Sequence, residues 1–572
     1  MEKIIKLRRL FKKFKIDGYL VPKNDEFFGE YVPKNKDNLK YISNFSGSYG
    51  FALILKKKNY LFVDGRYTLQ ANKQSGKLFH INTIPKKTPA NILKNKRLII
   101  GYDPRLYTEL SIDRLFRKTK CHLVPLKKNL VSEIWKNTKK EKIKKFFLLD
   151  SKYSGKGYEK KIKNLCVKVN KNKVDLQFIS SPENVAWLLN LRGLDNAFSP
   201  IPNCYFILNK KGKSIIFCNL KKIDNKVRKG LKNIDFIDII YLGRFLLNIK
   251  NKKIQIDKFS CSVLFKNILK KNNQVIELED PIYLLKAIKN KVEIKNTIKS
   301  HIIDGAALTK FLFWVKENYK NINISEMSAQ EKLLKFRKDN KNFKMLSFPT
   351  ISGSGPNGAI IHYKVDKKSN RKLKKGDLYL IDSGGQYNFG TTDVTRTISL
   401  DNRNKKIKDI YTRVLKGHIA VANYNLNKNT SGSEIDFSAR KFLREINLDY
   451  PHGTGHGVGY FLNVHEGPHG ISRGNKIKFK EGMIVSNEPG YYRNGRYGIR
   501  IENLIAVKKS SNKLKFENLT MVPIDKSIIE KKLLDKKEIK WLNDYHKKVY
   551  SNLKIYMNKV EIMKLKESCS NI

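Results

Sequence analysis

The sequence predicts an α/β protein that turns α+β toward its C-terminus, and three observations carry that reading. Short apolar strands alternate with helical stretches over residues 1 to 283. Long helical runs then open at about residue 284 and give way to strand-rich sequence between 345 and 510. Finally, 572 residues exceed what one core serves and divide into roughly three or four domains.

The elements follow in chain order. Ile4, Ile5, Leu7, Leu10, Phe11 and Phe14 recur at helical spacing, an amphipathic helix that leads into the strand GYLVP. FALIL, YLFVD and RLIIGYD continue a first α/β domain, residues 1–145. Within it the lysine-dense KKNLVSEIWKNTKKEKIKK, residues 127–145, reads as a linker or an exposed crossing. CYFIL, SIIFC and KIQID separate the helices of a second α/β domain, residues 146–283. The run YLLKAIKNKVEIKNTIKSHIIDGAALTKFLFWVKENY opens a third, 284–524, with long helices. In a C-terminal extension, 525–572, Ile528, Leu533, Leu534, Ile539, Trp541, Leu542 and Tyr545 fit one or two helices. There is no repeat at solenoid periods, and any shared ancestry of the first two domains is too faint to read from residues alone.

Composition excludes more than it selects. With 40% hydrophobic residues and 30 phenylalanines the chain has material for packed cores, against wholesale disorder. No apolar run approaches the ~20 residues of a membrane span, and MEKIIKLRRLFKKFKIDGYLV lacks the apolar stretch and cleavage site of a signal peptide. Six scattered cysteines without a C-x-x-C pair point to reduced thiols, and hence to the cytoplasm. The net charge of +64 has two readings, a polyanion binder or a chain with lysine inflated throughout. Lysines spread along the whole length with no nucleic-acid motif favour the second, so no specific nucleic-acid partner and no membrane partner are expected.

The chemistry gathers in the third domain. In GDLYLIDSGGQYNFGTTDVTRTISL an apolar strand ends on Asp382, and a second strand carries Asp393, Thr395 and Thr397 on one face. GMIVSNEPGYY ends another apolar strand on Glu488, and YGIRIENLIAV sets Glu502 within a strand, with Arg500 on the same face. Between them PHGTGHGVGYFLNVHEGPHG threads His452, His456, His465 and His469 through glycines. A helix there is costly, at about 1 kcal/mol per glycine; a backbone passing close to something suits the pattern better. Taken singly, each group has an ordinary reading: a turn or cap aspartate, a glutamate paired with Arg500, a loop histidine. Together, four carboxylates on apolar strands are expensive to bury unless cations meet them. With His456 they form an oxygen and nitrogen set suited to hard or borderline divalent ions such as Mn²⁺ rather than to structural zinc. The set is large enough for two ions sharing bridging groups.

The motifs LIDSGGQYNFGTTDVTRT, HGTGHGVGYFLNVHEGP, SNEPGYY and GIRIEN resemble those of the Xaa-Pro aminopeptidases (aminopeptidase P), in their long three-domain form, of the metallopeptidase family with the pita-bread fold. LKYISNFSGSYGFALI, LFVDGRYTLQA, SPENVAWLLNLRGLDNAFSPIPNCYFIL, LTMVPID and WLNDYH extend the likeness over nearly the whole chain. The resemblance implies two creatinase N-terminal-like α/β domains ahead of a pita-bread catalytic domain. It implies that Asp382, Asp393, His456, Glu488 and Glu502 bind two divalent ions, usually Mn²⁺, and that His362, His452 and His465 line the substrate site. Arg66 matches a peptide contact and Arg500 joins the substrate-binding set. Release of the residue ahead of a proline, by attack of metal-activated hydroxide on the scissile carbonyl, follows by the same route. Glu488 then carries the proton, with His465 and His362 as further catalytic groups. His469, beyond the motif, is expected in a loop. Proline-containing peptides are the implied partners and a homodimer the implied assembly. A prolidase-type dipeptidase and a non-catalytic binding protein of the same fold stand as alternatives; the second typically loses ligands, and all five positions are filled here.

Overall fold

The computed structural model describes residues 1–135, 142–511 and 513–572. Two compact units make up the chain: one holds Met1–Leu149 and Lys156–Tyr283, the other Asp150–Gly155 and Leu284–Ile572.

The first unit contains two six-stranded sheets. In the first, His80–Ile84, Asn59–Asp64, Phe51–Leu55, Gly18–Pro22, Ile99–Tyr102 and His122–Pro125 lie side by side in that order. In the second the order is Ile234–Asp238, Ser214–Cys218, Cys204–Asn209, Leu176–Ile179, Lys253–Asp257 and Gln274–Leu278. Numbered along each sheet's own sequence, both read 4-3-2-1-5-6, and both run parallel, antiparallel, antiparallel, parallel, parallel across the pairs. The likeness that the residues leave faint is thus plain in the topology. The N-terminal amphipathic helix, Glu2–Lys13, buries Ile4, Leu7 and Phe11, one residue per turn on a single face. Part of the stretch expected as a linker is instead helical: Leu130–Ile134 is capped by Asn129 and buries Leu130 and Val131. Residues 136–141 of that stretch lie outside the described residues.

In the second unit helices wrap small antiparallel sheets. A three-stranded sheet sets Leu378–Ser383 between Ile351–Ser354 and Val394–Ser399. A five-stranded sheet runs Glu466–Ile471, Gly455–Gly457, Ile484–Asn487, Asn503–Ser510, Lys513–Asn518. The strand period of two decides what each side chain meets. Tyr379, Ile381, Val394 and Ile398 pack with Leu308, Phe311, Leu312 and Val315 of the helix Lys291–Asn318. Asp382 and Thr395, paired in register, are therefore turned to the opposite face. Ile499 and Ile501 likewise enter the core made by helices Lys405–Ala422 and Lys536–Leu553, which leaves Arg500 and Glu502 on the other side.

The region expected to be strand-rich also contains two long helices, Lys405–Ala422 and Gly432–Arg444. Ile407, Ile410, Tyr411, Val414 and Leu415 bury a stripe of the first at three- and four-residue spacing. Of the one or two helices expected in the C-terminal extension, two form, Lys536–Leu553 and Lys559–Ser568, each opened by a capping box (Asp535 with Glu538, Asn558 with Glu561).

Candidate metal centre

Four strand ends deliver the site. Asp382 sits on Leu378–Ser383, and Asp393 immediately precedes Val394–Ser399. Glu488 follows Ile484–Asn487. Glu502, expected within a strand, lies instead at the break between Tyr497–Arg500 and Asn503–Ser510, where the chain has left one partner and not yet joined the next. His456 occupies the middle of Gly455–Gly457. Its glycine neighbours are required there: a Cβ on Gly455 would come within 1.8 Å of the Ser486 carbonyl oxygen, and one on Gly457 within 2.3 Å of that of Glu466. The glycine pattern thus reflects backbone packed on backbone.

The five groups converge. One oxygen each of Asp393 and Glu502 and one ring nitrogen of His456 lie within 4.8 Å of one another. His456 Nε2 is 3.5 Å from Asp393 Oδ2 and 3.5 Å from Glu488 Oε1. Its Nδ1 contacts the Gly457 carbonyl at 2.9 Å, which makes Nδ1 a donor and turns Nε2 toward the carboxylates. Ser486 Oγ donates to Glu488 Oε1 at 3.0 Å, and Thr395 Oγ1 donates to Glu502 Oε2 at 2.8 Å. Arg500 pairs with Asp382, not with Glu502: Nη2 donates to Oδ2 at 2.6 Å, while Nε donates to Thr395 Oγ1 at 3.0 Å. The side chains of His456 and Glu488 are 24% and 18% exposed against 6% for Asp393, so the cluster opens on the His456 side.

Charge is out of balance here. Four carboxylates share Arg500 and the imidazoles of His456 and His465, and burial raises three of the four. Asp382 is pushed up to about 7, first by burial and then by Asp393 and Glu488, against the pull of Arg500. Burial likewise raises Glu488. Glu502 goes well above the carboxylate range, through burial and through Asp393, Glu488 and Asp382. Burial would lower His456, yet Asp393 and Glu488 hold it up to about 9. Asp382 Oδ1 is buried without a hydrogen-bond partner. An orphaned oxygen, an excess of carboxylates and one well-aimed imidazole are what divalent cations fit, since isolated buried charges each cost several kcal/mol.

The other expected site residues are distributed as follows. His465 stacks edge-on against His456 at 4.4 Å between ring centroids. His452 Nε2 lies 2.9 Å from the Tyr492 hydroxyl, which in turn accepts from Arg500 Nη1 at 2.7 Å, so His452 reaches Asp382 through Tyr492 and Arg500. Tyr492 is a member of this network that sequence reasoning missed; its only signal was its position beside SNEPG. His362 is partly buried in the turn after Gly355–Ala359. Arg66, in the first unit, is half-buried and ion-paired to Asp64 at 2.6 Å. His469, expected in a loop, is a buried strand residue whose Nε2 meets the Ile484 carbonyl at 2.7 Å. Burial and the nearby Lys289 lower it to about 4, so it is a neutral core group.

Comparison with known proteins gives the family. Two sequence models of the creatinase/prolidase N-terminal domain match residues 3–131 and 137–293. That of metallopeptidase family M24 matches 295–509, and that of the C-terminal region of this peptidase group matches 512–572. A probable Xaa-Pro aminopeptidase P of Laccaria bicolor is 39% identical over 96% of this chain and 90% of its own. The chain belongs to the Xaa-Pro aminopeptidases of metallopeptidase family M24. Xaa-Pro aminopeptidase 1 of Dictyostelium discoideum is 36% identical over 96% of this chain and 92% of its own. Among solved structures, the X-prolyl aminopeptidase of Caenorhabditis elegans, described as a cytosolic enzyme with a di-nuclear active site, matches with a TM-score of 0.94. It is 30% identical and covers 100% of this chain and 99% of its own. Prolidase from Pyrococcus furiosus, 25% identical with a TM-score of 0.51, covers 98% of its own chain but only 62% of this one. Membership in a metallopeptidase family along the full length makes this aminopeptidase an enzyme, a hydrolase, with the expected creatinase-type and pita-bread parts. No helix among the described residues is long and apolar enough to cross a membrane.

Proposed function

We propose that Asp382, Asp393, His456, Glu488 and Glu502 hold two divalent cations, manganese in preference to softer ions, and that this centre releases the first residue of peptides whose second residue is proline. The observation that carries the reading is the convergence of Asp393, Glu502 and Glu488 on His456, with Asp382 beside them and Arg500 as the one guanidinium shown at the cluster. A predominantly carboxylate set favours a hard or borderline ion over zinc. When bound, such a pair of ions lowers the pKa of water and polarises a carbonyl.

The chain's own groups do the rest. Glu488, raised by burial and set at the exposed side of the cluster, takes a proton from the attacking water at a carboxylate oxygen and gives it to the departing proline nitrogen. Arg500 holds Asp382 from one side and Tyr492 from the other, which fixes that carboxylate and His452 in one frame. His465, beside His456, and His362 are the proposed donors to the oxyanion that develops at the scissile carbonyl. Arg66 keeps its proposed role as a peptide contact. A carboxylate-rich cluster suits a free N-terminal amine, and with it the removal of a single residue. A homodimer in the cytoplasm is the proposed setting. Its cytoplasmic half is supported by six free cysteines and by the relative described as cytosolic. The domain division 1–145, 146–283, 284–524 and 525–572 is proposed as the working map of the chain.

The test is release of free amino acid from Arg-Pro-Pro and from Arg-Ala-Ala, with and without added Mn²⁺. The reading expects cleavage of the first peptide only, stimulated by the metal. Cleavage of Arg-Ala-Ala alone overturns the specificity, and activity restricted to Xaa-Pro dipeptides moves the enzyme to the prolidase reading.

A further inference from the structure

Glu326 is buried completely, with no counter-cation among the partners shown for it, and the mechanism above does not use it. It stands at the first position of the helix Glu326–Lys338, which Ser325 caps. Its two oxygens accept from Ser354 N at 2.7 Å, Arg371 N at 3.0 Å, the Tyr363 hydroxyl at 2.8 Å, and Asn357 Nδ2 at 3.1 and 3.0 Å. Every one of these donors belongs to the segment 354–371, and His362 lies inside that segment, next to Tyr363. The main chain closes the same loop, since Glu326 N donates to Arg371 O at 2.9 Å. The Asn357 amide and the Tyr363 hydroxyl also reach the Ser369 carbonyl, at 2.8 and 2.9 Å, so both sides of the loop are stitched to one carboxylate.

The loop is fixed against the metal-centre strands as well. A Cβ on Gly498 would come within 1.8 Å of the Gly358 carbonyl oxygen, so the turn preceding His362 lies directly on the strand that carries Arg500. A carboxylate offers about four acceptor sites, and four different donors from one loop fill them. Folding alone does not require a charge there: burying an ion is costly, and an apolar contact at the start of a helix would hold the helix as well.

We propose that Glu326 is the positioning residue for His362: its carboxylate fixes the loop 354–371, and through it the angle at which the imidazole meets the peptide. This rests on the reading of His362 as a substrate contact. Glu326→Gln keeps the size but halves the acceptor sites and turns an amide N–H₂ toward donors.

The test is a double-mutant cycle on kcat/KM for an Xaa-Pro peptide, with wild type, Glu326→Gln, His362→Ala and the double variant, each checked for metal content and melting temperature. Glu326→Gln should lower kcat/KM by roughly 10- to 100-fold, with metal content retained. In the His362→Ala background the same change should cost less than about twofold, because the group it positions is gone. Tyr363→Phe, which removes one donor and no charge, should give a loss of about three- to tenfold with the same coupling, and it serves if Glu326→Gln does not fold. If His362→Ala is impaired but the effects add, or if both loop variants keep wild-type kcat/KM, the positioning role falls while the reading of His362 stands. Wild-type activity in His362→Ala overturns both.

Discussion

Two clusters of buried charge meet around neighbouring residues of one strand and answer the cost of burial in opposite ways. Asp304 accepts from Arg337 Nε at 2.8 Å, from Arg337 Nη2 at 3.0 Å and from the Tyr387 hydroxyl at 2.7 Å, and Arg337 Nη2 also reaches Ser383 Oγ. Burial would raise that carboxyl, yet Arg337 holds it below its usual range. One residue earlier in the strand, Asp382 shares a single guanidinium with three further carboxylates and is pushed up to about 7, burial being the largest cause. Lys286 and Lys289 both pair with Glu466, so cations are in surplus there, and that carboxyl too is lowered. Around Asp304 and Glu466 the chain supplies its own counter-charges. Around Asp382 the carboxylates stay in excess, which is the condition on which the proposed cation site rests.

The largest effect that sharpens this contrast is at Asp393. Asp393→Ala should reduce turnover of an Xaa-Pro peptide by at least about a thousandfold, the scale on which one member of a catalytic unit is felt, and should lower bound metal measured on the purified protein. The balanced cluster should behave otherwise. Asp304→Asn leaves Arg337 buried without its anion and should cost about 3–5 kcal/mol of stability, read from denaturant unfolding. The folded fraction of that variant should keep its metal content and specific activity. Equal losses of metal in both variants would erase the distinction between the clusters.

Chelation comes next in size. Metal binds the folded state only, so restoring Mn²⁺ at 100 times its dissociation constant to chelated enzyme should stabilise it by about 2.7 kcal/mol per site, seen as a rise in melting temperature. The smallest effect is the slope of stability with pH. In chelated enzyme the folded-state pKa of Asp382 lies above its unfolded value of about 4. The stability it contributes is therefore full below about pH 4 and is lost as pH rises through about 7, at up to ~1.4 kcal/mol per unit for each such proton. Asp304 has the opposite sign: its contribution is present above about pH 4 and is lost as pH falls through its lowered value. The difference in unfolding free energy between Mn²⁺-saturated and chelated enzyme, in which groups outside the cluster cancel, should grow between pH 5 and 8; a flat difference would contradict the charge imbalance.

Much of the centre was legible because strand periodicity is local. An aspartate closing Leu378–Ser383 and a glutamate after Ile484–Asn487 break apolar runs where nothing nearby pays their desolvation. What stayed hidden was tertiary. Arg500 and Asp382 are 118 residues apart, and nothing in YGIRIEN says that the arginine turns from Glu502 to Asp382. His469 looked like a glycine-flanked loop residue because the carbonyl that anchors it belongs to another strand. The helices Lys405–Ala422 and Gly432–Arg444 carry helical spacing, but the apolar strand motifs on either side dominate the sequence pattern there. Glu326 left no trace, since its donors begin 28 residues downstream at Ser354. The kinship of the first two sheets shows only in strand order, which residue identities do not record.

The most direct measurement is the number of divalent ions held per chain, followed through a Mn²⁺ titration of chelated enzyme with Arg-Pro-Pro hydrolysis recorded at each point. Two tightly held ions, with activity rising as they bind, is the predicted result. Full hydrolysis in enzyme that retains less than one ion per chain would contradict it.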